Sequence, residues 1–99
     1  FSYPIVRSDR DSVWAQYTLS VTDRASFQKK MQDKGVPTSV HYPLTMADQP
    51  WYKQNAGGAH AQIPMARWAA DNVISIPMYP DMDTRTQDRV IEAVLTALK

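Results

Sequence analysis

"SVWAQYTLSVTDRASFQKKMQDKG", Ser12 to Gly35, decides the architecture, because its apolar spacing changes partway from every second residue to roughly every fourth. Val13, Ala15, Tyr17, Leu19 and Val21 fall on one face, and Trp14, Gln16, Thr18 and Ser20 on the other. That alternation of β-branched and aromatic residues predicts a strand over 12–21. Thr22 or Asp23 then has the chemistry of a helix cap. A helix is expected from about Arg24 to Lys34, with Phe27 and Met31 one turn apart on its inner face. Gly35 supplies the left-handed residue that ends such a helix.

Further along, "VPTSVHY" (36–42) reads as an extended segment whose Pro37 suits a strand start or a sheet edge. Tyr42 precedes a proline and is held out of the helical region. "SVHYPLTMADQPWY" (39–52) is neither a clean helix nor a clean strand, and the adjacent Gly57 and Gly58 mark a loop after it. Pro64 fits the first turn of a short helix to about Asp71, with Met65, Trp68 and Ala69 inward. "NVISIP" is a brief buried strand of Val73, Ile74 and Ile76. Thr84 and Gln87 have capping-box spacing, with Asp83 a second candidate cap. Val90, Ile91, Val94, Leu95 and Leu98 then make one apolar stripe on a terminal helix of about four turns. This order predicts an α+β fold in two layers, a small, mainly antiparallel sheet with helices on one face.

Composition narrows the function classes. The 99 residues suit a single domain over 1–99, long enough for a core without a metal or disulfide staple. Hydrophobic content of 43% and charged content of 21% are those of an ordinary globular chain. A net charge of +1 gives no field that would select nucleic acid or an anionic membrane. No apolar run nears the roughly 20 residues of a membrane span. With no cysteine, disulfides and thiolate metal sites are excluded. "FSYPIVRSDRDSV" lacks the charged and apolar blocks of a signal peptide, and its abrupt, proline-containing start without methionine predicts a piece of a longer chain.

Few residues offer chemistry. His41 and His60 are the only histidines, too few for a zinc site, and His60 beside the glycine pair is expected to be a solvated loop residue. Asp81 and Asp83 precede a helix and suit its dipole better than acid–base work. Lys29, Lys30 and Lys34, with Asp23 and Asp33 among them, describe a solvated helix face. No nucleophile motif or phosphate loop is present. Trp68 is assigned to core or interface, and Trp51, on the irregular stretch, is the one to test for ligand or partner contact. For His41 and Tyr42 the residues alone leave two readings open. Either Tyr42 is a core aromatic and His41 a surface residue, or both hydrogen-bond a polyhydroxylated ligand where the chain bends at Pro43.

The segments "YTLSVTDRASFQKKMQDKGVPTSVHYP", "QPWY" and "ARWAADNVISIPMYPDM" together are similar to one family. The sequence resembles the C-terminal domain of the DegT/DnrJ/EryC1/StrS sugar aminotransferases, pyridoxal 5'-phosphate (PLP) enzymes of the aspartate-aminotransferase fold. The resemblance implies a cytoplasmic, homodimeric parent enzyme that takes an amino group from glutamate and gives it to a nucleotide-linked keto sugar for surface polysaccharide such as lipopolysaccharide. It implies substrate contact for His41 and Tyr42. It also implies that the cofactor lysine lies in an N-terminal domain, the partner of this one. Lys29, Lys30, Lys34, Lys53 and Lys99 match no such motif, so no catalytic or cofactor-binding residue is expected here and the fragment alone is expected to be inactive. Where many relatives read "YP.PLH.QP", this chain reads "YPLTMADQP", placing Thr45, Ala47 and Asp48 at altered positions. The alternative is a stand-alone α+β module binding a nucleotide or nucleic acid, which would need exposed aromatics on the sheet beside a basic groove.

Overall fold

A computed structural model describes residues 1–57 and 60–99, so Gly58 of the expected loop lies outside the described residues. In chain order the elements are β1 (Tyr17–Ser20), α1 (Arg24–Asp33), α2 (Pro50–Asn55), α3 (Pro64–Asn72), β2 (Val73–Ile76) and α4 (Thr84–Ala97). The fold is a small α+β domain, as its sequence pattern predicts.

β1 and β2 pair antiparallel, with Tyr17 opposite Ile76 and Leu19 opposite Ile74. Single-residue bridges extend this ribbon on both sides, Ser2 to Ser20 and Ser39 to Ser75. The face bearing Leu19 and Ile74 packs on α1 and α4. Leu19, Val21, Phe27, Met31, Val36, Ile74, Val90, Ala93, Val94 and Ala97 form one buried cluster, in which Met31 and Ile74 are 0% exposed. On the other face the register sets Thr18 against Ser75, and their hydroxyls meet at 2.9 Å, so the buried Ser75 has a partner.

Two strand expectations are corrected. The strand over 12–21 contracts to Tyr17–Ser20, because Trp14 takes a positive φ of 43° and turns the chain out of the ladder. Val13 is therefore 99% exposed, while Trp14 stacks on Tyr17 with ring centroids 5.3 Å apart. The extended segment 36–42 contributes only its bridge at Ser39, since Pro37 has no N–H to donate and the chain departs after Val40.

The helices follow their caps. The Asp23 carboxylate accepts from Ser26 N at 3.0 Å and opens α1, and Gly35 closes it at φ 68°. Asp83, not Thr84, caps α4, accepting from Thr86 N at 2.7 Å. The backbone N–H of Thr86, then its hydroxyl, hold the Asp83 carboxyl below its ordinary value.

The buried stripe of α4 is Val90, Ala93, Val94 and Ala97, at helical spacing i, i+3, i+4 and i+7. Ile91 and Leu95, expected inward, stay exposed one position around the helix, because the core takes the side of α4 that bears Ala93 and Ala97 and leaves theirs on a groove beside Phe1 and Tyr3. Likewise α3 buries Ala70, while Met65 and Trp68 remain 73% and 49% exposed. α3 passes into β2 with no intervening turn, which fixes its facing. The Arg24 guanidinium donates to the carbonyls of Ala70 and Val73 and secures that junction.

Candidate functional site

The chain leaves the sheet after Ser39, keeps Val40 against the core and then projects His41, Tyr42 and Pro43 into the open. Tyr42 is 71% exposed, so it is no core aromatic. The His41–Tyr42 peptide is cis, and the two rings meet edge to face with centroids 5.6 Å apart. Both residues line one groove of about 870 Å³, whose far side is Ala66, Ala69 and Ala70 of α3 and Val73 of β2. A groove of this size falls within the range of small-molecule sites. Its lining is mostly apolar, and His41, Tyr42, Thr45 and Gln49 are its residues with polar side-chain groups. A third wall is α2 with its following turn, through Tyr52, Ala56 and Gly57.

α2 lay hidden in a stretch with no apolar period. Pro50 opens it with a φ already suited to a first turn, but the helix is only 6 residues long and buries none of them. Trp51 is not part of the groove lining and is 65% exposed, with its ring 5.5 Å from that of Tyr52, which does line it.

Asp48 and Arg67 join this side of the groove to α3. Arg67 Nε lies 2.9 Å from Asp48 Oδ2, and Nη2 lies 3.1 Å from Oδ1. The Thr45 hydroxyl donates to Oδ2 at 2.7 Å, and Arg67 Nη1 donates to the Ala61 carbonyl at 2.8 Å. The Arg67 bonds, and after them the Thr45 bond, lower the Asp48 pKa from its ordinary 3.8, and the same pairing raises that of Arg67. A carboxyl lowered in the folded state contributes its stability fully above 3.8 and loses it as pH falls through the lower folded value. The pair is therefore intact throughout the neutral range. In the sequence Asp48 stands out only as an unusual residue, since its partner is 19 positions away.

The remaining candidates stand apart from the groove. His60 is exposed and its N–H donates to the Gly57 carbonyl. Among the described residues no three His, Asp or Glu side chains approach closely enough to share a metal ion. None of the lysines lines the groove. Lys29 pairs with Asp33 at 3.0 Å on the outer face of α1, and Lys30 donates to the Ala97 carbonyl at the end of α4. Lys34, Lys53 and Lys99 are exposed. With no lysine amine at the groove, these residues do not fit covalent attachment of PLP there.

Residues 2–95 match the DegT/DnrJ/EryC1/StrS aminotransferase family, and the chain belongs to it. Over 93 residues, 94% of this chain, it is 38% identical to the UDP-2-acetamido-2-deoxy-3-oxo-D-glucuronate aminotransferase of Pseudomonas aeruginosa. It is 31% identical over 92% of its length to the dTDP-3-amino-3,6-dideoxy-alpha-D-galactopyranose transaminase of Aneurinibacillus thermoaerophilus. To the dTDP-3-amino-3,4,6-trideoxy-alpha-D-glucose transaminase of Streptomyces venezuelae it is 30% identical over 92%. The chain spans 24% of the length of each of these relatives. No described helix is long and apolar enough to cross a membrane.

Proposed function

We propose that this chain is the C-terminal small domain of a PLP-dependent aminotransferase that moves an amino group from glutamate to a nucleotide-linked keto sugar, in the making of a surface polysaccharide such as lipopolysaccharide. The observation that carries this reading is the groove that His41 and Tyr42 both line, on a chain of this family. Relatives named for UDP- and dTDP-linked sugars support the substrate class. Their fourfold greater length leaves room for a cofactor-bearing domain ahead of this one, and for the contacts of a cytoplasmic homodimer.

In this reading PLP, when bound by the rest of the enzyme, supplies the electron sink for amino transfer. The small domain supplies recognition. The Tyr42 hydroxyl and the His41 imidazole hydrogen-bond the hydroxyl or phosphate oxygens of the sugar nucleotide. The alanine-lined wall of α3 offers flat apolar surface that excludes water from one side of the ligand.

The 99-residue chain alone, given PLP, glutamate and a UDP-linked 3-keto sugar, is expected to release no 2-oxoglutarate above a protein-free control. Turnover together with a one-to-one, borohydride-fixed PLP adduct on a single lysine would overturn the assignment of the cofactor amine to another domain.

A further inference from the structure

α2 presents a physical puzzle. It forms one wall of the groove through Tyr52, yet none of its residues is buried and Tyr52 itself is 40% exposed, so packing alone holds it weakly. Its position has to be set at the ends of the excursion that contains it. That excursion begins at Asp48 and returns at Ala61, and one side chain holds both. Arg67 bonds the Asp48 carboxylate through Nε and Nη2 and the Ala61 carbonyl through Nη1. The other ion pairs among the described residues, Arg7–Asp9, Arg10–Asp9 and Lys29–Asp33, join near neighbours and are well exposed. Asp48 keeps 15% of its side-chain exposure and Arg67 37%, and the pair links segments from separate parts of the chain.

We infer that Arg67 is a positioning residue, which fixes the α2 wall and the Thr45–Asp48 turn against α3 and so sets the width of the groove beside His41 and Tyr42. The consequence for the ligand rests on the reading of that groove as the sugar-nucleotide site. The brace itself rests on geometry alone. Its guanidinium is the working part, since three nitrogens face two acceptors in fixed directions. A lysine keeps the charge but is a single point donor on a flexible stem, and cannot hold both ends at once. Thr45 completes the brace from the other side, as its hydroxyl both donates to Asp48 and accepts from the Asp48 N–H.

The test compares R67K and R67M with the unaltered chain by 15N relaxation and by titration with UDP-N-acetylglucosamine. In both variants the amide order parameters of residues 51–56 are expected to fall from about 0.85 to below about 0.6, while those of α1 and α4 hold. Affinity for the UDP-sugar is expected to fall about tenfold in both. Unchanged order in α2, or order retained in R67K and lost only in R67M, would overturn the brace. Loss of order with affinity intact would overturn its role in the groove. An unaltered chain that ignores the UDP-sugar while its variants lose order in α2 leaves the brace standing and defeats the substrate reading instead.

Discussion

Ile74→Ala is expected to cost the fold about 2–5 kcal/mol, because the side chain is 0% exposed at the point where β2 meets both α1 and α4. The loss has two parts, the transfer free energy of the removed methyl and methylene groups and the cavity left among Leu19, Met31 and Val94. A natural domain holds only about 5–15 kcal/mol in total, so this one substitution consumes a large share. Ile91→Ala is the matched control. It removes the same atoms from an exposed position on α4 and should stay within about 0.5 kcal/mol of the parent chain. Urea unfolding followed by far-ultraviolet circular dichroism measures both. Equal losses would mean that the core has been placed on the wrong side of α4.

His41→Ala and Tyr42→Ala are each expected to weaken binding of a UDP-linked sugar by about 10–100-fold, or roughly 1.4–2.8 kcal/mol, without lowering stability. Both side chains are exposed and bury nothing in the core, so the fold should not register their loss. Tyr42→Phe separates ring from hydroxyl. If the hydroxyl binds the ligand, Phe should behave like Ala; if the ring stacks on it, Phe should behave like Tyr. Trp68→Ala, exposed on α3 and outside the groove lining, should leave affinity unchanged. Calorimetric titration of the four variants decides between these outcomes.

Much of this arrangement was legible in the chain itself. The helices with a cap and a clear apolar period, α1 and α4, stand where Asp23, Gly35 and the Val90–Val94 spacing put them. What escaped reading was tertiary in origin. The positive φ of Trp14 shortens β1 although the residues alternate well, because periodicity reports side-chain faces and not a kink in the backbone. Met65 and Trp68 are large and apolar at helical spacing, yet Ala70 faces inward, because the direct junction of α3 with β2 chooses the face. In the groove, His41 and Tyr42 were visible as residues able to hydrogen-bond a ligand. Their opposite wall of alanines was not, since alanine on a helix carries no chemical signature. Nor was the Asp48–Arg67 pair, which exists only once two distant segments have folded together.

In the proposed function the groove between the His41–Tyr42 arm and α3 receives a nucleotide-linked sugar. Protein-observed NMR with UDP-N-acetylglucosamine tests it most directly. Saturable shifts at His41, Tyr42, Thr45, Ala66 and Ala69, with the signals of Ile91 and Leu95 unmoved, are the predicted result. Shifts confined to the Ile91–Leu95 side of α4, or none at millimolar ligand, would contradict it.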